Sequence, residues 1–255
     1  MIQQILVPVT GICQLRTEPS HRAELSSQLF LGEALELLDD SVEGWVKVRT
    51  KTDQYEGWCQ AIQTAAVTEE LPALLGFFDK LTGFANVNGQ PMPVFKGSPV
   101  YAQSFRAGGF SISFTGLSYA AGSPTDISTW NGQVTHQAFE YLNTPYLWGG
   151  RSFSGIDCSG FAQMVFRQLG IQLRRDAWMQ AAEGIPVASL QDARCGDLAF
   201  FDEAGQVTHV GILLNNREII HSSGKVRIDD IDTGGIRSRD QQKRTHHLHS
   251  LRRYR

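Results

Sequence analysis

Residues 148–170 read WGGRSFSGIDCSGFAQMVFRQLG, and the second half of this stretch decides how the rest of the chain is read. Phe161, Ala162, Val165, Phe166 and Leu169 recur at the spacing of one helix face. Asp157 is a preferred N-cap type, and Gly170 stands where a C′ residue belongs. The spacing predicts a helix from Cys158 to Leu169 that begins with a cysteine. Unpaired N–H groups and the positive dipole end at a helix start favour an anion, so they lower a thiol pKa and can receive a developing oxyanion. On this helix alone two readings of Cys158 stay open: a nucleophile, or a small buried side chain at a capped helix start.

Downstream, DLAFFD, VTHVGILL, EIIHSSG, KVRIDDI and a stretch at 246–254 read as strands. In VTHVGILLNNREIIHSSG two histidines flank an NN turn; pairing Leu213 with Arg217 sets His209 directly opposite His221, a base beside its orienter. A slip of one residue sends His221 to the other face. For each histidine alone, a satisfied core or surface residue is the competing reading. Asp229, Asp230 and Asp232 fall at a strand end with no HxH or HExxH spacing to join them, and the HxH of His246, His247 and His249 has no acid or thiol nearby. No metal site is expected. The C-terminal THHLHSLRRYR is read as a closing strand with solvated arginines.

Upstream, NGQVTHQAFEYLNTPY places Val134, Ala138, Tyr141 and Leu142 at helical spacing, and Pro145 stops the run. Helices followed by antiparallel strands make residues 131–255 an α+β domain. Residues 1–66 carry short strands, QILVPVTGICQLR, ALELLDD, GWVKVRT and YEGWCQA, the pattern of a small β-barrel; 76–124 form a second β unit, and AAGSPTDIS reads as a linker.

With 42% hydrophobic and 19% charged residues in 255, the chain is globular, and a net charge of −3 gives no general attraction for nucleic acid or anionic membranes. Cys13, Cys59, Cys158 and Cys195 are widely spaced with no CxxC pair, which argues against a zinc cage or disulfide scaffold and makes Cys13, Cys59 and Cys195 core or strand residues. The longest apolar run, near LPALLGFF, is too short to span a bilayer, and MIQQILVPVTGICQLRTEP lacks the features of a secretory signal, so a cytoplasmic protein is expected.

PYLWGGRSFSGIDCSGF, CGDLAFF, THVGILL and IIHSSG, in this order, resemble the NlpC/p60 family of papain-like cysteine peptidases over about residues 131–255, and the β units before them resemble bacterial SH3-like domains. The resemblance implies a papain-like catalytic domain, helices packed on an antiparallel sheet, preceded by two small SH3-like barrels. It implies Cys158 as nucleophile, His209 as general base, His221 as its orienter and Tyr146 at the oxyanion, with no cofactor. The substrate implied is a peptidoglycan-derived peptide such as L-Ala-γ-D-Glu-diamino acid, cut after the γ-D-glutamyl group. In LRRDAWMQ the resemblance makes Asp176 the holder of a free N-terminal amine, with Ala177 beside it and Ser159 as a further contact. Glu24 and Tyr55 match positions that reach the same amine.

The leading expectation is a peptidase of free muropeptides in recycling. Competing readings are an exported hydrolase of intact wall, an acyltransferase or amidase using the same pair, and a non-catalytic wall-binding module, against which the joint presence of Cys158, His209 and His221 speaks.

Overall fold

A computed structural model describes residues 4–122 and 127–255. The linker expected at 120–128 falls partly outside the described residues. The chain divides into two compact units, one built from residues up to Gly122 together with Trp148–Ser152, the other from the remainder.

The first unit opens with strands β1 (Ile5–Pro8), β2 (Ile12–Arg16), β3 (Leu25–Phe30), β4 (Leu35–Asp39), β5 (Trp45–Thr50), β6 (Glu56–Gln60) and β7 (Thr64–Ala66), in sheet order β3-β2-β6-β5-β4-β1-β7. Alternation in β5 sends Val46 and Val48 inward to meet Cys13, Leu15, Leu29, Leu35 and Cys59. Strand β3 carries no such alternation, since Ser27 and Gln28 are buried along with Leu29 and Phe30. Gln28 accepts the Arg151 backbone N–H on its side-chain oxygen at 2.8 Å, and Arg151, itself buried, pairs with Glu33 at 3.1 Å. Gly149 leads this segment in: its φ is 75°, and a Cβ there would lie 2.5 Å from the Leu25 carbonyl oxygen. Gly150 beside it does not adopt a positive φ.

Strands β8 (Leu74–Phe78), β9 (Thr82–Val87), β10 (Gln90–Phe95), β11 (Pro99–Tyr101), β12 (Phe105–Ala107), β13 (Phe110–Ser113) and β14 (Tyr119–Ala120) form two small sheets, β10-β9-β13-β12 and β11-β8-β14. Their core of Phe78, Val94, Val100, Ile112 and Phe114 extends to Val7, Val9 and Leu31, and the Tyr101 hydroxyl donates to the Gly32 carbonyl at 3.0 Å. These residues bind the two β segments into one body. Strand β15 (Arg151–Ser152) completes the unit's strands.

The second unit holds α1 (Ile127–Phe139), β16 (Gly155–Ile156), α2 (Cys158–Gln168), α3 (Ala177–Ala181), β17 (Ile185–Pro186), β18 (Leu198–Glu203), β19 (Gln206–Leu213), β20 (Glu218–Ser223), β21 (Lys225–Asp232), β22 (Gly235–Ser238) and β23 (Lys243–Arg253). Helix α1 stops before the expected Tyr141 and Leu142, which lie in turns; Tyr141 is buried and Leu142 exposed. Asn143, in the left-handed region just before Thr144 and Pro145, ends any helical path there. Helix α2 runs to Gln168 with Gly170 at C′, and it is buried on every side rather than on one face.

The expected sheet is present, but it closes. Its order is β17-β23-β18-β19-β20-β21-β22 with a further pairing of β22 to β23. The eleven residues of β23 span both edges, pairing Lys243–His247 with β22 and His247–Arg252 with β18. Among the described residues, closure gives each of the six strands β18–β23 a partner on both sides, while the two-residue β17 is attached outside the ring to β23. Phe201, Leu213, Ile219, Ile231, Ile236 and Leu251, one from each strand of the ring, fill the interior. The arginines of β23 are not simply solvated: Arg253 pairs with buried Asp197 at 2.7 Å, and Arg252 donates to the Ala181 carbonyl. Cys13 and Cys59 are core residues, whereas Cys195 is half-buried in a turn, not in a strand.

Candidate active site

Asp157 caps α2 with its carboxylate, accepting the Gly160 N–H at 2.6 Å, which fixes Cys158 as the first helical residue. The buried thiol lies against β19, donating towards the Thr208 carbonyl at 4.0 Å and accepting the Val210 N–H. Those two residues bracket His209.

The helix start was expected to draw the thiol pKa down. Instead it is pushed up to about 12, by burial first and by the Asp157 carboxylate second, against weaker help from the Val210 N–H and Arg175. The resting group is a thiol.

Histidines 209 and 221 meet as expected, but by another register. Leu213 pairs with Ile219 and Gly211 with His221, so the hairpin is offset by two residues from the Leu213–Arg217 pairing. The cause is the turn: Asn215 accepts N–H groups of Arg217 and Glu218 on its side-chain oxygen, which lengthens the loop beyond two residues. An even offset preserves the face, so His209 and His221 become diagonal neighbours, Nε2 to Nδ1 at 2.8 Å. Gly211 makes the diagonal possible, because a Cβ there would lie 2.9 Å from His221 Cβ.

The line continues. His221 Nε2 meets Asp229 Oδ2 at 3.0 Å; Asp229 also receives the Arg239 backbone N–H at 2.9 Å and lies 3.0 Å from Arg227 Nε. Burial drives both histidine pKa values down, that of His209 well below its ordinary value, with His221 and His246 adding to the effect there. Burial would raise Asp229, but its bonds from His221 and Arg239 carry it below the usual range. His246 stacks on the His209 ring at 4.2 Å and 23°. Two neutral imidazoles and a carboxylate thus stand in line on strands of which β19 is touched by the helix-start thiol on either side of His209, a set of groups able to take a proton from sulfur and hold the resulting positive charge.

Residues 143–245 match the NlpC/P60 family and residues 15–61 the bacterial dipeptidyl-peptidase Sh3 domain. The chain carries an NlpC/P60 domain behind a bacterial SH3 domain. It is 27% identical over 256 residues to dipeptidyl-peptidase 6 of Lysinibacillus sphaericus, covering 89% of this chain and 91% of that one. It is 35% identical over 151 residues to the γ-D-glutamyl-L-lysine dipeptidyl-peptidase of Bacillus subtilis, covering 58% of this chain and spanning 46% of that protein. The crystal structure of an NlpC/P60 family protein from Bacillus cereus shares the fold, with a TM-score of 0.78 at 20% identity over 98% of this chain and 99% of the other.

Within the NlpC/P60 domain the LRRDAWMQ segment is tied to the start of α2. Arg175, buried, bonds both Asp157 oxygens (3.1 and 2.5 Å) and the Ser159 hydroxyl at 2.9 Å; Gln180 donates to the Ser159 and Arg174 carbonyls. Ser159 is therefore drawn into this network, its own hydroxyl donating to Asp157. Asp176 is half-buried at the N-cap position of α3, and buried Ala177 begins that helix, an element the sequence did not announce. The Tyr146 phenol has its pKa raised, by burial first and then by the negative charge that a Cys158 thiolate would carry and that the Asp157 carboxylate does carry, so it stays a hydrogen-bond donor.

Glu24 and Tyr55 belong to the first unit. Glu24, exposed, accepts the Trp148 indole N–H at 2.6 Å, and Tyr55 packs against the SH3 core. Sequence reasoning passed over Asp229, Arg175, Arg151 and His246. Asp229 was read as a strand-end acid; its place, two residues from the partner of His221, depends on a register the sequence does not print.

Proposed function

We propose that the protein is a cysteine peptidase that hydrolyses the γ-D-glutamyl-L-diamino acid bond of peptidoglycan stem peptides bearing a free N-terminal L-Ala, acting in the cytoplasm in murein peptide recycling. The observation that carries the reading is the Cys158 thiol held against β19 on both sides of His209, with His221 and Asp229 behind the imidazole.

Cys158 Sγ bonds to the γ-carbonyl carbon of D-glutamate as its proton passes to His209. Because both groups are neutral at rest, the proton moves with the attack rather than before it. The oxyanion is received by the Cys158 backbone N–H at the helix start and by the Tyr146 phenol. His209 gives its proton to the departing amine, the C–N bond breaks, and the thioester remains. Water, giving a proton to His209, attacks the thioester and releases the new carboxylate; the proton returns to sulfur.

A peptidase that removes a dipeptide must read the chain's free amine. Asp176 is the group we assign to that ammonium, with Ser159 and Ala177 as its companions, and Glu24 and Tyr55 are kept as candidates for the same amine on the family resemblance alone. The name of the Bacillus subtilis relative supports the bond assignment. The β segment of residues 76–124 is, in this reading, a second, diverged SH3-like module.

Incubation with L-Ala-γ-D-Glu-diaminopimelate and with its N-acetyl form, followed by mass spectrometry, tests the reading. L-Ala-D-Glu should be released from the free peptide alone, and Cys158→Ala should abolish it. Equal cleavage of the acetylated peptide would remove the amine requirement, and cleavage of neither would remove the peptidase.

A further inference from the structure

Asp229 is buried on β21 and faces two donors, His221 Nε2 and the backbone N–H of Arg239, with the Arg227 guanidinium paired to it by charge at 3.0 Å. We propose, resting on the peptidase reading, that Asp229 is a positioning residue whose carboxylate fixes the tautomers of both His221 and His209, leaving Nδ1 of His209 as the base.

The chain of consequences is short. A carboxylate only accepts, so His221 must present its proton on Nε2. A neutral imidazole has one N–H, so Nδ1 of His221 is a lone pair. That lone pair stands 2.8 Å from Nε2 of His209, which must therefore donate. His209 is neutral as well, and its only unprotonated nitrogen is Nδ1. The reverse assignment would set a lone pair of His221 against the carboxylate at 3.0 Å, two acceptors in contact in a buried site. Arg227 and the Arg239 N–H keep the carboxylate ionised, while His246 contacts the His209 ring by its face and takes no part in the line. When His209 gains the sulfur's proton, its Nε2–H still points down the same line to Asp229, which offsets the new charge. Nothing covalent happens at Asp229.

Two variants separate tautomer control from packing. Asn has a single acceptor oxygen; held by the Arg239 N–H, it turns an NH2 on His221, so Asp229→Asn forces the wrong tautomer in a nearly isosteric side chain. Asp229→Ala leaves His221 free to exchange tautomers. Asp229→Asn should lower kcat by on the order of 10²–10⁴-fold with little change in KM, and should be slower than Asp229→Ala. A folded Asp229→Asn enzyme within threefold of wild type, or one faster than Asp229→Ala, would overturn the proposal. The wild-type protein gives an independent reading: long-range ¹H–¹⁵N correlation, with His209 assigned by loss of its signals in His209→Gln, should show the proton on Nε2 and a bare Nδ1. The opposite tautomer refutes it even if neither Asp229 variant folds. Because that spectrum needs no turnover, failure of the peptidase reading shows separately, as absence of cleavage by wild type.

Discussion

Asp157 serves three masters in the NlpC/P60 domain: it caps α2, holds Arg175 and raises the thiol beside it. The first two duties are structural, and the third works against a resting thiolate. Removing the carboxylate leaves a buried guanidinium without its main partner, a situation that costs about 3–5 kcal/mol. Asp157→Ala should therefore unfold at clearly lower denaturant concentration than wild type, whereas Asp157→Asn, which can still cap, should lose less. Urea titration followed by tryptophan fluorescence gives both values. The cysteine at the helix start, its acidic cap and the paired histidines were all legible in sequence, because each follows from local spacing. Arg175 was not, since its partners are 18 and 16 residues away and only the fold brings them near.

At the scale of the element, the β19–β20 hairpin decides whether the two histidines can meet. Its offset depends on an Asn215 side chain bonding its own turn, while the face depends only on the offset being even. Gly211 is the point where the hairpin has no slack. An added Cβ would meet the movable end of Ile219 at 2.6 Å but also His221 Cβ at 2.9 Å, and the latter cannot turn aside. Gly211→Ala should cost about 1–3 kcal/mol of stability and, by displacing His221 from His209, lower kcat at least about tenfold. A melting curve together with steady-state kinetics checks it, and unaltered kcat would place the tolerance of this hairpin higher than the geometry allows. The strand pattern itself was readable from alternation; β3, with its buried serine and glutamine, was not, because Gln28 is bonded to Arg151, more than a hundred residues on.

For the whole molecule, three neutral histidines share one end of the barrel interior, and that has a consequence for stability in mild acid. His209, His221 and His246 all have lowered pKa values in the fold, His246 to about 4, chiefly through burial. In the unfolded chain they titrate near 6.5. As pH falls below that value the unfolded state takes up protons that the folded state refuses, so stability is full above about pH 6.5 and declines towards pH 4. Asp229 and Asp232 act lower: their depressed pKa values contribute stability above about pH 4, which is lost as the pH falls further. Thermal melts should thus fall steadily from pH 7 to pH 4.5, and His246→Gln should flatten that slope by on the order of 1–2 kcal/mol once screening of this half-buried ring is allowed for.

By itself the sequence determined the elements: a capped helix beginning with Cys158, alternating strands, two histidines on one hairpin, and β segments ahead of them. Each is encoded within a few residues, where spacing and side-chain type fix the backbone. Only the tertiary structure decided that β23 closes the sheet into a barrel, that Asp229 and His246 join the histidines, and that the thiol is neutral at rest. Register, closure and desolvation depend on residues distant along the chain, and burial outweighs a helix end in fixing the charge on sulfur.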